Sequence, residues 1–151
     1  VTQIDFHVNA PGKLAYACRL ARKVYGSGTR AVFYAGHEST RDAFDRLLWT
    51  FSATDFIPHC RVDSPLADVT PIHIAGPDDA DACKHHALLV NLDREQPDCF
   101  SRFERMIEVV EAEAMDLEAG RRRWKFYKDR GYPLVRHDLG AAASNSPRDD
   151  A

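Results

Sequence analysis

Apolar positions recur along this chain with two periods. In the segment Gln3–Val8 they alternate, with Ile4, Phe6 and Val8 set between polar neighbours, the period of a strand. From Lys13 to Tyr25, Leu14, Ala17, Cys18, Ala21 and Val24 return every three or four residues, as on one helix face. Gly26-Ser27-Gly28 supplies the C-cap and turn. Arg30–Tyr34 reads as a short buried strand, and Ser39 is placed to cap a second helix bearing Phe44, Leu47 and Leu48 and ending near Trp49. Phe56-Ile57-Pro58-His59 is predicted extended, since a residue before proline avoids the helical region. Pro71–Ala75 and His86–Leu92 read as two more strands, the second apolar enough to be buried on both faces.

Beyond Pro97 the intervals become helical. Phe100, Phe103, Ile107 and Val110 form a stripe that runs on through Leu117, Gly120, Trp124 and Tyr127 until Gly131 and Pro133 stop it. Gly140–Ala151 has no periodicity and is predicted to be a disordered tail. Alternating strands and helices predict an α/β fold for residues 1–139: one three-layer domain, with a mostly parallel sheet and helices on both faces.

With 151 residues, 44% hydrophobic and 28% charged, the chain has the make-up of a soluble globular domain able to bury a core. No apolar run approaches the roughly 20 residues that span a bilayer, so no membrane partner is expected. Val1-Thr2-Gln3-Ile4-Asp5 lacks the basic and apolar regions of a secretory signal. Cys18, Cys60, Cys83 and Cys99 are scattered without a CxxC pair, in keeping with free thiols and a cytoplasmic location.

Catalytic chemistry is not visible. The first strand runs into Asn9-Ala10-Pro11-Gly12-Lys13, with no GxGxxG and no complete phosphate loop, and no GxSxG elbow occurs anywhere. Gly12-Lys13-Leu14 is read as a plain strand-to-helix turn. His85 and His86 are neighbours on an extended segment, so their side chains diverge and do not share a metal ion. His59 and Cys60 diverge likewise and lack an orienting third group. Neither a cofactor nor a metal site is expected.

Two features remain. One is the run Arg121-Arg122-Arg123-Trp124-Lys125-Phe126-Tyr127-Lys128, basic and aromatic within a chain of net charge -3. Arg121, Trp124, Lys125 and Lys128 stand at i, i+3, i+4 and i+7 on one helix face. Cations beside a large ring suit a ligand that is anionic and apolar at once: nucleic acid, or an acidic peptide ending in a hydrophobic residue. A solvated helix end, where cations also favour the dipole, is the plain structural alternative. The other feature is aromatic. Trp49 and Phe56 flank a helix end where Trp49-Thr50-Phe51 cannot all point inward, and an exposed patch there would anchor a protein partner.

Leu48-Trp49, then Phe56-x-Pro58-His59, then Gly120-Arg121-x-Arg123-Trp124-x-x-Tyr127-x-x-x-Gly131-Tyr132 resemble the chi subunits of bacterial DNA polymerase III over about residues 3 to 134. The resemblance implies a Rossmann-like fold without a nucleotide loop and a non-catalytic adaptor associated with the clamp loader. It implies two partners: the acidic, phenylalanine-ended C-terminal tail of single-stranded-DNA-binding protein, and the psi subunit or a helicase-like repair protein. DNA would be met only indirectly. Family tail-binding positions fall on Arg121, Trp124 and Lys125, with Lys128 on the same face, and Trp124 stands where tyrosine is frequent. Two further family positions, a lysine and a hydroxyl residue, fall on about Leu117 and Arg136, so the pocket edge departs from the pattern. Trp49 and Phe56 fall on the positions that contact psi or the repair partner. A module binding single-stranded nucleic acid directly is the alternative. It would need a longer basic track with several stacking rings.

Overall fold

In the computed structural model, which describes residues 1–52 and 56–140, seven strands form one parallel sheet. They are β1 (Gln3–Ala10), β2 (Ala31–Tyr34), β3 (His59–Arg61), β4 (Ile72–Ala75), β5 (Leu88–Asn91), β6 (Arg105–Glu111) and β7 (Leu134–Asp138). Their order is β3-β4-β2-β5-β6-β1-β7, and every neighbouring pair is parallel. Helices α1 (Lys13–Gly26) and α2 (Glu38–Thr50) cover one face, and α3 (Ala114–Asp129) covers the other. The three-layer α/β architecture expected from the alternation of elements is therefore present. Of the tail expected over 140–151, only Gly140 belongs to the described residues. No helix among them is long and apolar enough to cross a membrane.

Strand alternation divides the core in two. Ala31, Phe33, Ile72, Ile74, Leu88, Val90, Ile107 and Val109 pack beneath α1 and α2. Val32, Tyr34, Ala75, Leu89, Met106 and Val110 face α3 together with Ile4, Phe6 and Val8. In β1 the alternation breaks at Asn9, whose φ of 63° lies in the left-handed region that asparagine tolerates better than most residues. The register shift there turns Ala10 to the opposite face.

The structure departs from the predicted elements at three places. Arg105–Glu111 is a strand, not the start of a long helix. It lies inside the sheet with both faces covered, so it shows no period-two contrast, and its apolar run mimics a helical stripe. Phe100 and Phe103 belong to a single 3-10 turn before it, and the helix itself starts at Ala114. Strand β7 has no counterpart among the predicted elements. It is a largely exposed edge strand with little apolar signal, created by its pairing with β1. Helix α2 begins at Glu38 with His37 at its N-cap position, so Ser39 sits in the first turn and is not the cap. The earlier start places Glu38 one turn from Arg41, at 2.7 Å, and within 3.4 Å of Arg61.

His7 ties β1 to α1: its Nδ1 lies 2.5 Å from the Tyr16 hydroxyl, and its ring meets His137 edge-on at 5.0 Å. Burial, reinforced by His137, pushes this imidazole down to about 4 from an ordinary 6.5. The unfolded chain therefore binds this proton more readily than the folded one. Stability from His7 is full above pH ~6.5 and is lost as pH falls toward the folded value. Between pH 7 and pH 4 the wild-type protein should lose about 2–3 kcal/mol more than a His7→Gln variant. Urea unfolding across that range measures the difference, and parallel curves would refute it.

Candidate functional site

The site is built on α3, whose placement against β6 is set by an N-terminal cap and three contacts with the strand. Glu113 caps the helix, its carboxylate accepting from the backbone N–H groups of Asp116 at 3.0 Å and Met115 at 3.3 Å. Asp116 is buried and accepts the Glu111 N–H at 2.6 Å, with Lys13 Nζ at 2.9 Å. Burial works against its charge, but these donors prevail and hold the carboxyl below the usual carboxylate range. One turn on, Gly120 lets the helix approach the sheet closely. A Cβ there would come within 2.9 Å of Val110 Cγ2.

The third contact with the strand is a buried polar cluster. Glu108 of β6 is 0% exposed. Its Oε1 accepts from Arg123 Nε and Asn91 Nδ2, each at 2.9 Å, and its Oε2 from the Tyr127 hydroxyl at 2.5 Å. Arg123 Nη1 also donates to the Arg94 carbonyl at 2.6 Å. Burial, and then the Glu108 charge, push the Tyr127 phenol far above its ordinary range, so it acts as a fixed donor.

With Arg123 and Tyr127 turned inward, Arg121 and Trp124 stand over the β1–β7 edge. They line a cavity of about 540 Å³ with Phe6, Val8, Val110, Leu117, Gly120 and Arg136. The size is that of a small-ligand pocket. Its walls are apolar, and the Trp124 ring is braced edge-on by Phe6 at 5.1 Å. Two guanidinium groups complete the lining. Arg136 is 3.4 Å from Asp138, while Arg121 has no hydrogen-bond or ion-pair partner among the described residues.

Of the four residues predicted on this helix face, the structure brings Arg121 and Trp124 into the cavity but not Lys125 or Lys128. Lys125 follows Trp124 by one residue, about 100° further around the axis, and its ammonium lies 2.9 Å from Asp129. Lys128 is two turns beyond Arg121, about 10 Å along the axis. The remaining walls were not singled out as site residues by pattern. Arg136 reaches the cavity only because β7 pairs with β1, where Phe6 is its register partner.

Trp49 and Phe56 lie at the end of α2, on the sheet face opposite α3. They are 58% and 61% exposed, with ring centroids 5.5 Å apart. His59 supports them from below, its ring 4.8 Å from Trp49, its Nε2 2.9 Å from Asp45 and its Nδ1 2.7 Å from the Ile57 carbonyl. These contacts make His59 a structural residue.

The crevice at the carboxyl ends of the strands, where doubly wound folds bind nucleotides, is of a different kind. Lys13 is held by Asp116 and by the Leu92 carbonyl, Arg94 is paired with Glu113 and Asp116, and Asp93, Glu95 and Glu111 line the same space. That lining disfavours a phosphate.

Comparison with known proteins finds similar sequences in one family. The family described as DNA polymerase III chi subunit, HolC, matches residues 1–135. The chain is 32% identical over 143 residues to the DNA polymerase III subunit chi of Pseudomonas aeruginosa, covering 92% of this chain and 98% of that protein. To the protein of the same name from Haemophilus influenzae it is 27% identical over 124 residues, covering 82% and 85%.

Because Arg123 is buried and Arg121 is exposed, two arginines two residues apart should behave oppositely. Arg123→Ala strands the Glu108 charge and should cost about 3–5 kcal/mol of stability. Arg121→Ala should stay within about 0.5 kcal/mol of wild type. Denaturant unfolding compares them, and equal losses would contradict the division of roles.

Proposed function

The chain belongs to the DNA polymerase III chi-subunit family, accessory subunits in DNA replication, and on that premise we propose that it is a non-catalytic adaptor with two separate docking surfaces. The cavity of Arg121 and Trp124 takes the acidic, phenylalanine-ended tail of single-stranded-DNA-binding protein. The patch of Trp49 and Phe56 takes psi or an equivalent clamp-loader component. A helicase-like repair partner would use the same patch.

The observation that carries the first part is an apolar cavity bordered by two arginines, one of them unpartnered among the described residues. A terminal phenylalanine carboxylate presents a ring and a charge within a few ångströms of each other. The ring fits between Trp124, Phe6 and Leu117, and Arg121 or Arg136 meets the carboxylate in the forked geometry that guanidinium favours. Lys125 and Lys128, outside the cavity, attract the preceding aspartates without shaping the slot. The basic turn offers little to a nucleic-acid backbone. Arg122 is 3.4 Å from Glu118, Lys125 is paired with Asp129, and Arg123 is buried.

Titration with an acidic peptide ending in phenylalanine, beside one of equal charge ending in alanine, tests this reading. Arg121→Ala should lose about 1.5–3 kcal/mol of peptide binding, the range for a hydrogen bond to a charged group. Trp124→Ala should narrow the preference for phenylalanine over alanine. Lys125→Ala should matter little at high salt, where exposed charges are screened within about 8–10 Å or less. Unchanged affinity in these folded variants, or single-stranded DNA binding as well as the peptide, would refute the assignment.

The second surface rests on two large rings exposed side by side. Interface aromatics of this kind cost roughly 2 kcal/mol or more when truncated. Phe56→Ala should therefore weaken psi binding at least about tenfold while leaving tail-peptide binding intact. Calorimetry with both ligands measures this, and loss of both together would count against separate surfaces.

A further inference from the structure

His73, Cys83 and His85 are separated in sequence by intervals that match no metal-binding motif, yet the fold brings them together. One ligand atom from each lies within 4.8 Å of the others. His73 projects from β4, Cys83 follows the 3-10 turn Ala80–Ala82, and His85 lies in the segment leading to β5. They border a cavity of about 520 Å³ that shares no lining residue with the cavity of Arg121 and Trp124. His85 and His86 do diverge, as neighbours on an extended segment should, and His86 packs against Phe103 at 5.3 Å. The partner of His85 is instead His73, twelve residues earlier, with ring centroids 4.7 Å apart.

The hydrogen bonding leaves these atoms prepared for a ligand. The His73 Nε2 lies 2.8 Å from the Ala67 carbonyl, an acceptor only, so Nε2 carries the proton and Nδ1 keeps its lone pair. That Nδ1 is 3.6 Å from Cys83 Sγ. A tetrahedral zinc ion with Zn–S of ~2.3 Å and Zn–N of ~2.0 Å separates its sulfur and nitrogen ligands by about 3.5 Å. A backbone carbonyl on the far nitrogen is also the usual outer support of a metal-bound imidazole. Both ring nitrogens of His85 are buried and lack a hydrogen-bond partner among the described residues, an arrangement that leaves polar atoms unsatisfied in the protein alone.

The geometry points to a binding site for a zinc ion formed by His73 Nδ1, Cys83 Sγ and a ring nitrogen of His85, with solvent in the fourth position through the cavity. On binding, the Cys83 S–H bond gives way to a Zn–S bond and one proton leaves to solvent, without any change of oxidation state. His73 and Cys83 are buried and fixed to adjoining elements, so the ion would pin the segment after β4 against the strand. The site is independent of the peptide-binding reading. The other cluster of suitable side chains, Asp5, His7 and His137, serves as its control.

The test uses the full chain, reduced and treated with a chelator, then titrated with Zn2+ against a chromophoric competitor and separately with Co2+. The expected result is one equivalent of tightly bound Zn2+, release of a proton, and a Co2+ spectrum with a thiolate-to-metal charge-transfer band. Cys83→Ser should abolish that band and, like His85→Gln, lower Zn2+ affinity by about 10-fold or more. His137→Gln should change neither. Circular dichroism of the metal-free variants establishes that they are folded, and His85→Gln, at the half-buried position, serves if Cys83→Ser is not. Failure of the wild-type chain to compete for Zn2+, or equal affinity in a folded Cys83→Ser or His85→Gln variant, overturns the proposal.

Discussion

The buried carboxylate of Glu108 is the constraint on which the rest of α3 depends. A charge on a central strand, sealed from water, is tolerable only when both oxygens are fully hydrogen-bonded. Asn91 satisfies it from the neighbouring strand, and Arg123 and Tyr127 satisfy it from the helix above. A small rotation or slide of α3 would break these bonds, so helix and sheet have one register. Gly120 against Val110 and Glu113 at the cap reinforce the same placement. What this register does for the surface follows directly: with Arg123 and Tyr127 committed inward, Arg121 and Trp124 must stand at the β1–β7 edge.

The fold also bears on how a Rossmann-like chain would serve as the adaptor proposed above. Lys13 and Arg94, cations that could have met a phosphate in the crevice behind β1, are both held by Asp116, and carboxylates line the space around them. The accessible features lie elsewhere, on both faces of the sheet. An apolar slot with guanidinium groups sits on the α3 side, and two exposed aromatic rings sit side by side at the end of α2. Two surfaces on opposite faces would let two partners be held at once, as the proposed adaptor role requires.

Much of this was legible in the chain itself. Alternation at Ile4, Phe6 and Val8, helical spacing from Leu14 to Val24, and the apolar run before Leu92 determined the elements β1, α1 and β5 and hence the α/β class, because burial on one face or on both leaves its period in the sequence. The order of Gly120, Arg123, Trp124 and Tyr127 pointed to the family, and the cluster of charge and ring on one helix face pointed to the slot.

Tertiary structure decided the rest. Met106–Val110 carries a helix-like stripe yet forms a strand, because a strand covered on both faces has no polar side to display its period. Strand β7 exists only through its pairing with β1, so Arg136 could not be assigned to the slot from local pattern. Among the basic residues of α3, the difference between Arg121 in the cavity, Arg123 in the core and Lys125 beside Asp129 is a matter of about 100° per residue around an axis whose rotation Glu108 sets. Likewise His73, Cys83 and His85 carry no shared motif, since their proximity comes from a parallel sheet that sets the start of β4 level with the approach to β5, with one strand between them. Periodicity records which face of an element is buried; which residues from distant elements meet is set by the sheet order, and that order is written nowhere in the local sequence.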